Sequence, residues 1–365
     1  MAGKLRTGIV AFGLAGRSMH YQALVEGCSD LSEVVAVWNR SEFPRPGRNE
    51  GDFPLAEEVS VYNDIDAFFA HDMDIVHITS PSGLHMDDVV RAAKRGIHVI
   101  CDKPLDVTLE RIDTAIRACR TAGVTLTVNF QSRFSPHLAK LKSIIEEGAL
   151  GEIIAGSVEC KLYRAKEYYT ESAWHGRYDL DGGAALMNQS IHYIDLLQWL
   201  MGSPVIEVRR GFTERLVHSY IEAEDFGYGE LTLASGANMT ILGGTCFRPG
   251  IGQRLDIRGT DGWVTVQDGN IENAVWGGMD RSGEFGEKNT ISGMTSSPTV
   301  GTGNHIRFFR HTYEAVLNGD PVSIDGHEGR KAVEIIMGIY KASQTGDTVT
   351  FPVDVTYRPT GIHSK

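Results

Sequence analysis

Short hydrophobic runs alternate with amphipathic stretches over the first third of the chain. Runs rich in valine and isoleucine, each too short for a helix, are typical of buried strands, and they occupy residues 7–12, 34–38, 75–79, 99–101 and 124–130. From His85 and from Thr108, apolar residues return every three or four positions up to a closing glycine, which predicts amphipathic helices. This alternation of strands and helices predicts an α/β fold with a parallel, doubly wound sheet.

The pattern changes after Phe130. Ser135 and Pro136 begin a predicted helix that ends at Gly148. Longer alternating runs follow and predict a mainly antiparallel, open sheet, and they occupy residues 152–163, 227–244 and 254–269. We therefore expect one domain over residues 1–130 and a second over residues 131–365. Residues 277–304, rich in glycine, serine and threonine, predict a long loop.

Composition limits the classes of partner. The 365 residues are 42% hydrophobic and 22% charged, which is ordinary for a globular chain and favours two domains. A formal net charge of −12 opposes binding to nucleic acid or to an anionic membrane, so neither is an expected partner. Five scattered cysteines form no metal-ligand spacing, and no stretch resembles a signal peptide or a membrane span. We expect a soluble cytoplasmic protein with reduced thiols and no metal.

A glycine-rich turn follows the first predicted strand. Residues 11–16 read Ala-Phe-Gly-Leu-Ala-Gly, a GxGxxG pattern with alanine in the first glycine position. In such a turn Gly13 lets the backbone approach a pyrophosphate, and Gly16 lets the helix pack against the strand. A purely steric turn is the alternative. The place of the turn at the first strand favours a dinucleotide site, whose predicted residues are Phe12, Gly13, Leu14, Ala15 and Gly16.

The end of the second predicted strand bears on the choice of dinucleotide. A carboxylate at this point accepts hydrogen bonds from the ribose 2'-hydroxyl of NAD. The chain has Asn39, Arg40 and Ser41 instead, which can hold a 2'-phosphate, with a solvated loop as the alternative. The expected cofactor is NAD or NADP, with a preference for NADP. The other predicted cofactor residues are Ser80, Pro81, His85, Asp102 and Lys103.

Lys103 is a candidate catalytic residue. It lies between Asp102 and Pro104, after the fourth predicted strand, at the edge of the sheet where open parallel sheets bind ligands. The proline restricts the backbone before it and so aims the lysine side chain into the crevice. A solvated loop lysine is the alternative interpretation.

A second candidate segment spans residues 181–202. A glycine pair precedes a helical pattern in which Asn188, His192 and Asp195 share one predicted face. Such a face is either an active-site wall or a hydrogen-bonded structural network.

The glycine turn, the Asp-Lys-Pro sequence and this helix, in this order and at these separations, resemble the glucose-fructose oxidoreductase, inositol dehydrogenase and rhizopine catabolism (Gfo/Idh/MocA) family. The resemblance spans nearly the whole chain. It implies an N-terminal Rossmann domain that binds the dinucleotide. It also implies a C-terminal α/β domain that supports the substrate and often an oligomer interface, which predicts a homodimer or homotetramer.

The resemblance also implies an activity and a set of catalytic residues. The family's Glu-Lys-Pro lysine falls on Lys103 and its catalytic histidine on His192, while Asn188 stands where the family commonly has aspartate. The implied reaction is hydride transfer between a secondary alcohol of a sugar, sugar derivative or cyclitol and the nicotinamide. His192 is the expected general base, Lys103 stabilises the alkoxide, and Asn188 fixes the neighbouring hydroxyl. Because a neutral amide stabilises an imidazolium poorly, we expect Lys103 to share the task of His192.

Residues 160–183 are rich in aromatic and cationic side chains. This composition suits a carbohydrate, because aromatic rings stack on pyranose faces and arginine donates to hydroxyls or a carboxylate. A packing or dimer surface is the alternative. His175 belongs to this stretch, whereas His20 and His85 are each expected to line the cofactor region or to cap a helix, with a structural role favoured for both. The predicted substrate residues are Arg133, Arg164, Tyr168, Trp174, Arg177, Asn188 and His192.

Two other function classes stay open. Relatives of the same fold retain NAD and break a glycosidic bond through transient oxidation, without net cofactor turnover. Other relatives are non-catalytic regulators that bind the dinucleotide. The presence of both Lys103 and His192 argues against a regulator.

Overall fold

The structure, a computed structural model, describes residues 3–40, 55–286 and 301–361. The chain forms two compact units. The first comprises the described residues within Met1–Asp106, Glu110–Gln131 and Val300–Arg330, and the second comprises those within Val107–Leu109, Ser132–Thr299 and Lys331–Lys365. The division into functional domains at residue 130 stays a prediction. It assigns residues 131–365 to the second domain, whereas the described residues within Val300–Arg330 belong to the first compact unit.

A six-stranded parallel sheet forms the centre of the first unit, in the order β3-β2-β1-β4-β5-β6 of a Rossmann sheet. Its strands are β1 (Leu5–Val10), β2 (Ser32–Trp38), β3 (Ser60–Tyr62), β4 (Ile75–Ile78), β5 (His98–Cys101) and β6 (Leu126–Val128). β4 is buried along its whole length, as expected for a parallel sheet that is covered on both faces. The parallel doubly wound sheet is confirmed, although β3 was not predicted because three residues are too few to show a pattern.

Four helices follow the strands of this unit. The two amphipathic helices predicted from His85 and Thr108 are confirmed as α3 and α4. Asp64 caps α2 by accepting hydrogen bonds from the amides of Asp66 and Ala67. The helix bounds are α1 (Gln22–Gly27), α2 (Ile65–Ala70), α3 (His85–Lys94) and α4 (Leu109–Ala122).

A nine-stranded sheet forms the second unit, in the order β14-β13-β12-β11-β7-β10-β9-β8-β15. Among the strand pairs of this sheet that the structure describes, only β7–β10 is parallel, so the predicted, mainly antiparallel sheet is confirmed. The strands are β7 (Ile153–Lys161), β8 (Val205–Glu214), β9 (Phe226–Leu233), β10 (Asn238–Gly244), β11 (Gly252–Gly259), β12 (Gly262–Gln267), β13 (Asn270–Trp276), β14 (Met279–Asp280) and β15 (Val349–Thr350). The pattern missed β8, in which only Val208 is fully buried.

Five further helices are α5 (Pro136–Glu146), α6 (Lys166–Thr170), α7 (Ile191–Met201), α8 (Gly303–Asn318) and α9 (Gly326–Thr345). α8 belongs to the first unit. The long loop predicted over 277–304 instead contains β14 and the start of α8, and its residues 287–300 lie outside the described part. Among the described helices, none has the length and apolar character needed to cross a membrane.

Candidate active site

The strand before the glycine turn ends at Val10, two residues before its predicted end, so Phe12 lies in the turn. Ala11, in the position of the first motif glycine, has φ of 66°, a left-handed conformation that alanine rarely adopts. The Thr79 hydroxyl lies 2.9 and 2.8 Å from the carbonyl oxygens of Val10 and Ala11. Hydrogen bonding from the end of β4 therefore holds this turn.

The two glycines of the turn have different surroundings. A Cβ on Gly16 would lie 2.6 Å from the carbonyl oxygen of Ala11 and 2.8 Å from the Thr79 hydroxyl, so only glycine fits there. A Cβ on Gly13 would meet no atom of the described residues within 4 Å apart from its chain neighbours, and Gly13 is exposed. The open space at Gly13, next to the first amides of a helix, fits an approaching pyrophosphate.

The other predicted turn residues divide by exposure. Phe12 is fully buried with its ring edge-on to Tyr21, at a centroid distance of 5.4 Å, so any contact with a dinucleotide is through its backbone. Ala15 is half-buried, and Leu14 is 75% exposed. An apolar side chain as exposed as Leu14 is available to cover a bound ring.

At the end of β2, Asn39 is tied to the edge of the sheet. Its amide donates to the carbonyl of Tyr62 at 3.0 Å, and its carbonyl accepts from the Asn63 side chain at 3.3 Å. Arg40 is exposed, and Ser41 lies outside the described residues. Neither residue that the structure describes here is a carboxylate.

Hydrogen bonds within the first unit hold the residues on either side of Lys103, which are Asp102 and Pro104. The peptide bond between Lys103 and Pro104 is cis. The Asp102 carboxylate accepts from the Lys103 amide at 2.8 Å and from the Asn129 side chain at 3.3 Å. Burial raises the pKa of the Asp102 carboxyl, but His20, Lys103 and the Lys103 amide outweigh burial and bring this pKa below its ordinary value.

His85 fastens the same segment from the other side. It is 1% exposed, and its Nδ1 and Nε2 lie 2.9 and 2.6 Å from the carbonyl oxygens of Pro104 and Ser80. The Ser80 hydroxyl donates to Asp88 at 3.2 Å, and Pro81 precedes a single turn of helix. The His85 ring therefore connects the segments after β4 and β5, a positioning role that differs from lining the cofactor.

A line of hydrogen bonds that the sequence did not predict runs inward from Asp102. The Asn129 side-chain nitrogen lies 3.3 Å from His20 Nε2, and His20 Nδ1 lies 2.8 Å from His77 Nδ1. His77 Nε2 in turn lies 3.0 Å from the Tyr313 hydroxyl. If Asn129 donates, each histidine accepts at one nitrogen and donates at the other, which requires both rings to be neutral.

Burial keeps these histidines neutral. It lowers the pKa of His20 to about 4 and that of His77 well below its ordinary value. The pKa of the adjacent His305 is likewise lowered to about 4 by burial. The structural role expected for His20 agrees with this buried network.

In the second unit, Asn188 lies in a π-helical turn, Ala185–Ser190, directly before α7. Its side-chain nitrogen donates to the carboxylate of Asp181, a fully buried residue whose other oxygen accepts from the Gly176 amide at 2.8 Å. The carboxylate that is missing at position 188 is therefore present one hydrogen bond away. Asp181 was not predicted as a site residue, although it stands immediately before the glycine pair.

Gln189 connects several predicted substrate residues. Its side-chain nitrogen lies 2.8 Å from the Tyr168 hydroxyl and 2.9 Å from Asn188 Oδ1, while its oxygen accepts from Arg164 at 2.6 Å. The Arg164 guanidinium lies 5.5 Å from the centre of the Tyr168 ring. Burial, together with the Asp181 charge, raises the pKa of Tyr168 well above its ordinary value, so this hydroxyl keeps its proton. The structure thus brings Arg164 and Tyr168 to Asn188 through a residue that we had not predicted.

Two further predicted residues belong to the same cluster, and one does not. His175 stacks on Tyr168 with a centroid distance of 4.2 Å and an interplanar angle of 11°, and Trp174 lies 4.0 Å from His175. Arg177 is exposed and pairs with Asp179 at 3.0 Å. His192 is half-buried on α7 of this unit, while Lys103 is half-buried in the first unit.

Arg133 and Asp195 form a buried ion pair. Two guanidinium nitrogens of Arg133 donate to the two oxygens of Asp195, at 2.8 and 2.6 Å, and both side chains are almost fully buried. Asp195 therefore anchors α7 from within its unit and does not extend the face of Asn188 and His192. This pairing favours a structural role for Arg133.

Glu224 holds the start of the π-helical turn. One of its oxygens lies 3.3 and 2.9 Å from the amides of Ala184 and Leu186 and 2.8 Å from the Tyr340 hydroxyl. Glu224 is fully buried, and burial raises its pKa to about 7. Gly183 fits beside it with φ of 149°, where a side chain would collide with Tyr340. The glycine pair therefore allows the closely packed start of the segment that carries Asn188 and His192.

Comparisons with known proteins cover both parts of the chain. The family described as an oxidoreductase family with an NAD-binding Rossmann fold matches residues 5–130, and the GFO/IDH/MocA C-terminal domain matches residues 138–265. A similar protein, scyllo-inositol 2-dehydrogenase (NADP(+)) of Bacillus subtilis (strain 168), is 26% identical over 94% of this chain and 95% of its own.

Two other similar proteins differ in reaction and in ligand. The 2,7-anhydro-N-acetylneuraminate hydratase of Escherichia coli (strain K12) is 26% identical over 66% of this chain and 62% of its own. The crystal structure of the WlbA dehydrogenase from Bordetella pertussis, in complex with NADH and UDP-GlcNAcA, superposes with a TM-score of 0.82. It is 27% identical and covers 96% of this chain and all of that chain.

Proposed function

Because this chain belongs to the GFO/IDH/MocA family of NAD-binding oxidoreductases, we propose that it is an NAD(P)-dependent dehydrogenase of a sugar, sugar derivative or cyclitol. The observation that carries the proposal is the turn at the end of β1 in a Rossmann sheet, open at Gly13 and closed at Gly16. The similarity over nearly full length to a cyclitol dehydrogenase supports the substrate class.

The proposed mechanism assigns the proton to the protein. When bound, the nicotinamide exchanges a hydride with the carbinol carbon. His192 removes the hydroxyl proton in oxidation and returns it in reduction. Lys103 stabilises the developing alkoxide by charge, and its backbone is held by Asp102 on one side and by the carbonyl contact of Pro104 with His85 on the other. Asn188, positioned by Asp181 and Gln189, holds the neighbouring hydroxyl.

NADP is the proposed cofactor. Asn39 and the exposed Arg40 supply no carboxylate at the end of β2, and the cyclitol dehydrogenase of Bacillus subtilis carries NADP(+) in its name. A 2'-phosphate is better accommodated by an amide and a guanidinium than by an acidic side chain. The remaining proposed cofactor contacts are Phe12, Leu14, Ala15, Ser41, Ser80 and Pro81.

The experiment that tests this function is reduction of NAD or NADP across a panel of free sugars, inositols and sugar acids. We expect NADP to be reduced with at least one of them, and we expect His192→Ala and Lys103→Ala each to lower kcat/KM by roughly a hundredfold or more. Lys94→Ala, an exposed lysine on α3, is the matched control. Near-normal turnover in both variants would remove these residues from the mechanism. NAD binding tenfold tighter than NADP, about 1.4 kcal/mol, would reverse the cofactor assignment.

The similarity to a hydratase favours a second candidate, in which the substrate is transiently oxidised while bound NAD is reduced and then reoxidised within one turnover. In that case product forms while the nicotinamide absorbance shows no net change. Chromatography of the same reactions distinguishes this outcome from a dehydrogenase.

A homodimer or homotetramer through the second unit is also proposed. Phe212, Tyr228 and Leu242 are cross-strand neighbours on β8, β9 and β10, so they share one face of the sheet. Phe212 is 47% exposed, and the Phe226 ring lies 6.1 Å from it. An apolar row of this kind on an open sheet fits a second copy of the chain.

A further inference from the structure

We propose that the substrate carries a carboxylate and that Arg164 is the residue that binds it. This inference rests on the proposed dehydrogenase function, because it narrows the class of substrate that the same site accepts. The position of Arg164, its lack of a counterion among the described residues and the cations around it support the proposal.

Arg164 is close to the predicted catalytic helix. Its Nη2 donates to Gln189 Oε1 at 2.6 Å, and Gln189 Nε2 donates to Asn188 Oδ1 at 2.9 Å. Two hydrogen bonds therefore separate the guanidinium from the amide that is proposed to hold a substrate hydroxyl. The Arg164 guanidinium also lies over the Tyr168 ring, 5.5 Å from its centre, and this cation–π contact helps to hold it there. A ligand held at Asn188 is thus within reach of a preorganised cation.

The charge of Arg164 has no partner of opposite sign within the part of the chain that the structure describes. Its hydrogen bonds there go to two neutral oxygens, the carbonyl of Tyr163 at 3.2 Å and the side chain of Gln189. By contrast, Arg133 pairs with Asp195 and Arg254 with Asp256. A guanidinium has five N–H groups, so most of those on Arg164 remain available. Because a half-buried cation without a counterion is unfavourable, an anionic ligand at this point gains affinity.

The nearby acidic residue is already engaged. The Asp181 carboxylate accepts from the Gly176 amide and from the Asn188 side chain, and Asp181 is fully buried. Asp181 therefore stabilises the amide at position 188 and does not neutralise Arg164.

Two more cations surround the same aromatic cluster, defined by Tyr163, Tyr168, Tyr169, Tyr220 and His218. Its rings are connected, with centroid distances from 5.0 Å for Tyr168–Tyr169 to 6.4 Å for Tyr163–His218. Lys166 lies 5.6 Å over Tyr220, and Arg248 lies 5.4 Å over Tyr163. Neither cation forms an ion pair within the described ranges. Glu167 and Asp225 also act on Tyr220, where burial and these charges raise its pKa, so Lys166 and Arg248 offset nearby acidic residues and leave Arg164 as the cation available to an anion.

The ligand group that best fits Arg164 is a carboxylate. The planar fork of one guanidinium matches the two oxygens of a carboxylate, with charge-assisted bonds about twice as strong as neutral ones. A sugar acid offers this group on the same ring as the hydroxyl that is oxidised. The contact positions that hydroxyl and does not take part in the hydride transfer, so its loss appears mainly in KM.

The test uses matched pairs of probes that differ in the carboxylate: D-glucuronate with D-glucose, D-galacturonate with D-galactose, and UDP-GlcNAcA with UDP-N-acetylglucosamine. We expect the wild-type protein with NADP to prefer the acid of at least one pair by tenfold or more in kcat/KM. Arg164→Gln lowers kcat/KM for that acid roughly 10- to 100-fold, mainly through KM, and changes the neutral partner less than twofold. Arg209→Gln, an exposed arginine on β8, is the matched control.

Calorimetric titration of the same acids into the protein with NADP measures binding without turnover, and the melting temperature shows whether Arg164→Gln folds. Equal loss of acid and neutral probes in Arg164→Gln, or a preference for the neutral probes, would overturn the assignment. A preference for glucose 6-phosphate over glucuronate would replace the carboxylate with a phosphate. Acid binding that depends on Arg164 without reduction of either dinucleotide would keep this assignment and reject the proposed dehydrogenase.

Discussion

In the turn after β1, we expect a methyl group added at Gly13 and one added at Gly16 to have different consequences. Gly16 is packed against Ala11 and Thr79, whereas the space beside Gly13 is open within the protein. The first glycine of the motif is absent, and Ala11 adopts the left-handed conformation anyway because Thr79 holds its carbonyl. The packing explains why this incomplete motif still forms the turn.

The variants Gly13→Ala and Gly16→Ala separate folding from binding. We expect Gly13→Ala to change the free energy of unfolding by less than about 0.5 kcal/mol and to weaken dinucleotide binding at least tenfold, because its methyl group enters the ligand space. Gly16→Ala loses about 1–3 kcal/mol of stability through overlap with Ala11. Urea denaturation and calorimetric titration with NADP measure the two effects. Wild-type affinity in Gly13→Ala would place the pyrophosphate elsewhere.

Residue types in the candidate site could be predicted, but their partners could not. The sequence identified Asn188 and Arg164, yet Asp181 and Gln189 became visible only through their hydrogen bonds to them. Arg133 and His85 are the opposite case. Arg133 was predicted to contact the substrate and His85 to lie among the cofactor residues, although a structural role was favoured for His85; in the structure Arg133 pairs with Asp195, and His85 contacts two backbone carbonyls. A sequence pattern does not contain the long-range pairing that decides such roles.

Among the elements, the two segments with predicted chemistry share a departure from regular helix. Gly16–Tyr21, directly after the glycine turn, and Ala185–Ser190, which carries Asn188, are both π-helical. Such widened turns recur at functional sites. The 3.6-residue period of a regular helix correctly predicted helical structure here. It also placed Asn188, His192 and Asp195 on a single face, and the pairing of Asp195 with Arg133 does not support that arrangement.

The start of Ala185–Ser190 predicts a pH dependence. The pKa of Glu224 is raised from 4.5 to about 7, so its contribution to stability is full below pH 4.5 and is lost as the pH rises through about 7. At about 1.4 kcal/mol per pKa unit, the wild-type protein loses roughly 2–3 kcal/mol between pH 5 and pH 8 from this group. Glu224→Gln keeps an oxygen for Leu186 and Tyr340 but has no charge, so we expect its stability relative to wild type to increase over this range.

Urea denaturation of both proteins from pH 5 to pH 8 measures the effect. The difference between the two proteins is the relevant quantity, because the buried His20, with its pKa of about 4, loses stability in the opposite direction, as the pH falls below 6.5. Glu222→Gln, at an exposed neighbour, is the control. If the free energy of unfolding changes with pH in the same way for wild type and Glu224→Gln, ionisation of Glu224 does not destabilise the folded protein.

Strands were predicted where their own residues show a clear pattern and were missed where they do not. β4 and β5 were predicted because most of their residues are apolar and buried, with one histidine in each strand. β8 and the short edge strands β3 and β15 were missed because their side chains are half exposed or too few to show a period. Their pairing partners, and not their own residues, determine that they are strands.

For the whole molecule, the row of Phe212, Tyr228 and Leu242 predicts the assembly state. The chain has a mass of 40.0 kDa, so light scattering of a homodimer or homotetramer gives two or four times this mass. Phe212→Glu places a charge in the row and is expected to lower the mass toward that of one chain. Leu216→Glu, at a 57% exposed residue outside the strands, is the control. A wild-type mass of 40.0 kDa would exclude this assembly.

The line of hydrogen bonds that ends at Tyr313 has a consequence for synthesis of the chain in the cell. The Tyr313 hydroxyl lies 2.8 Å from the hydroxyl of Thr7, 306 residues earlier. At about 5–20 residues per second, the ribosome releases β1 roughly 15–60 seconds before α8 exists to join it. The nascent Rossmann sheet therefore waits until translation has nearly finished for the Tyr313 hydroxyl that contacts Thr7 and His77 in its interior, and chaperones have that interval in which to act on it.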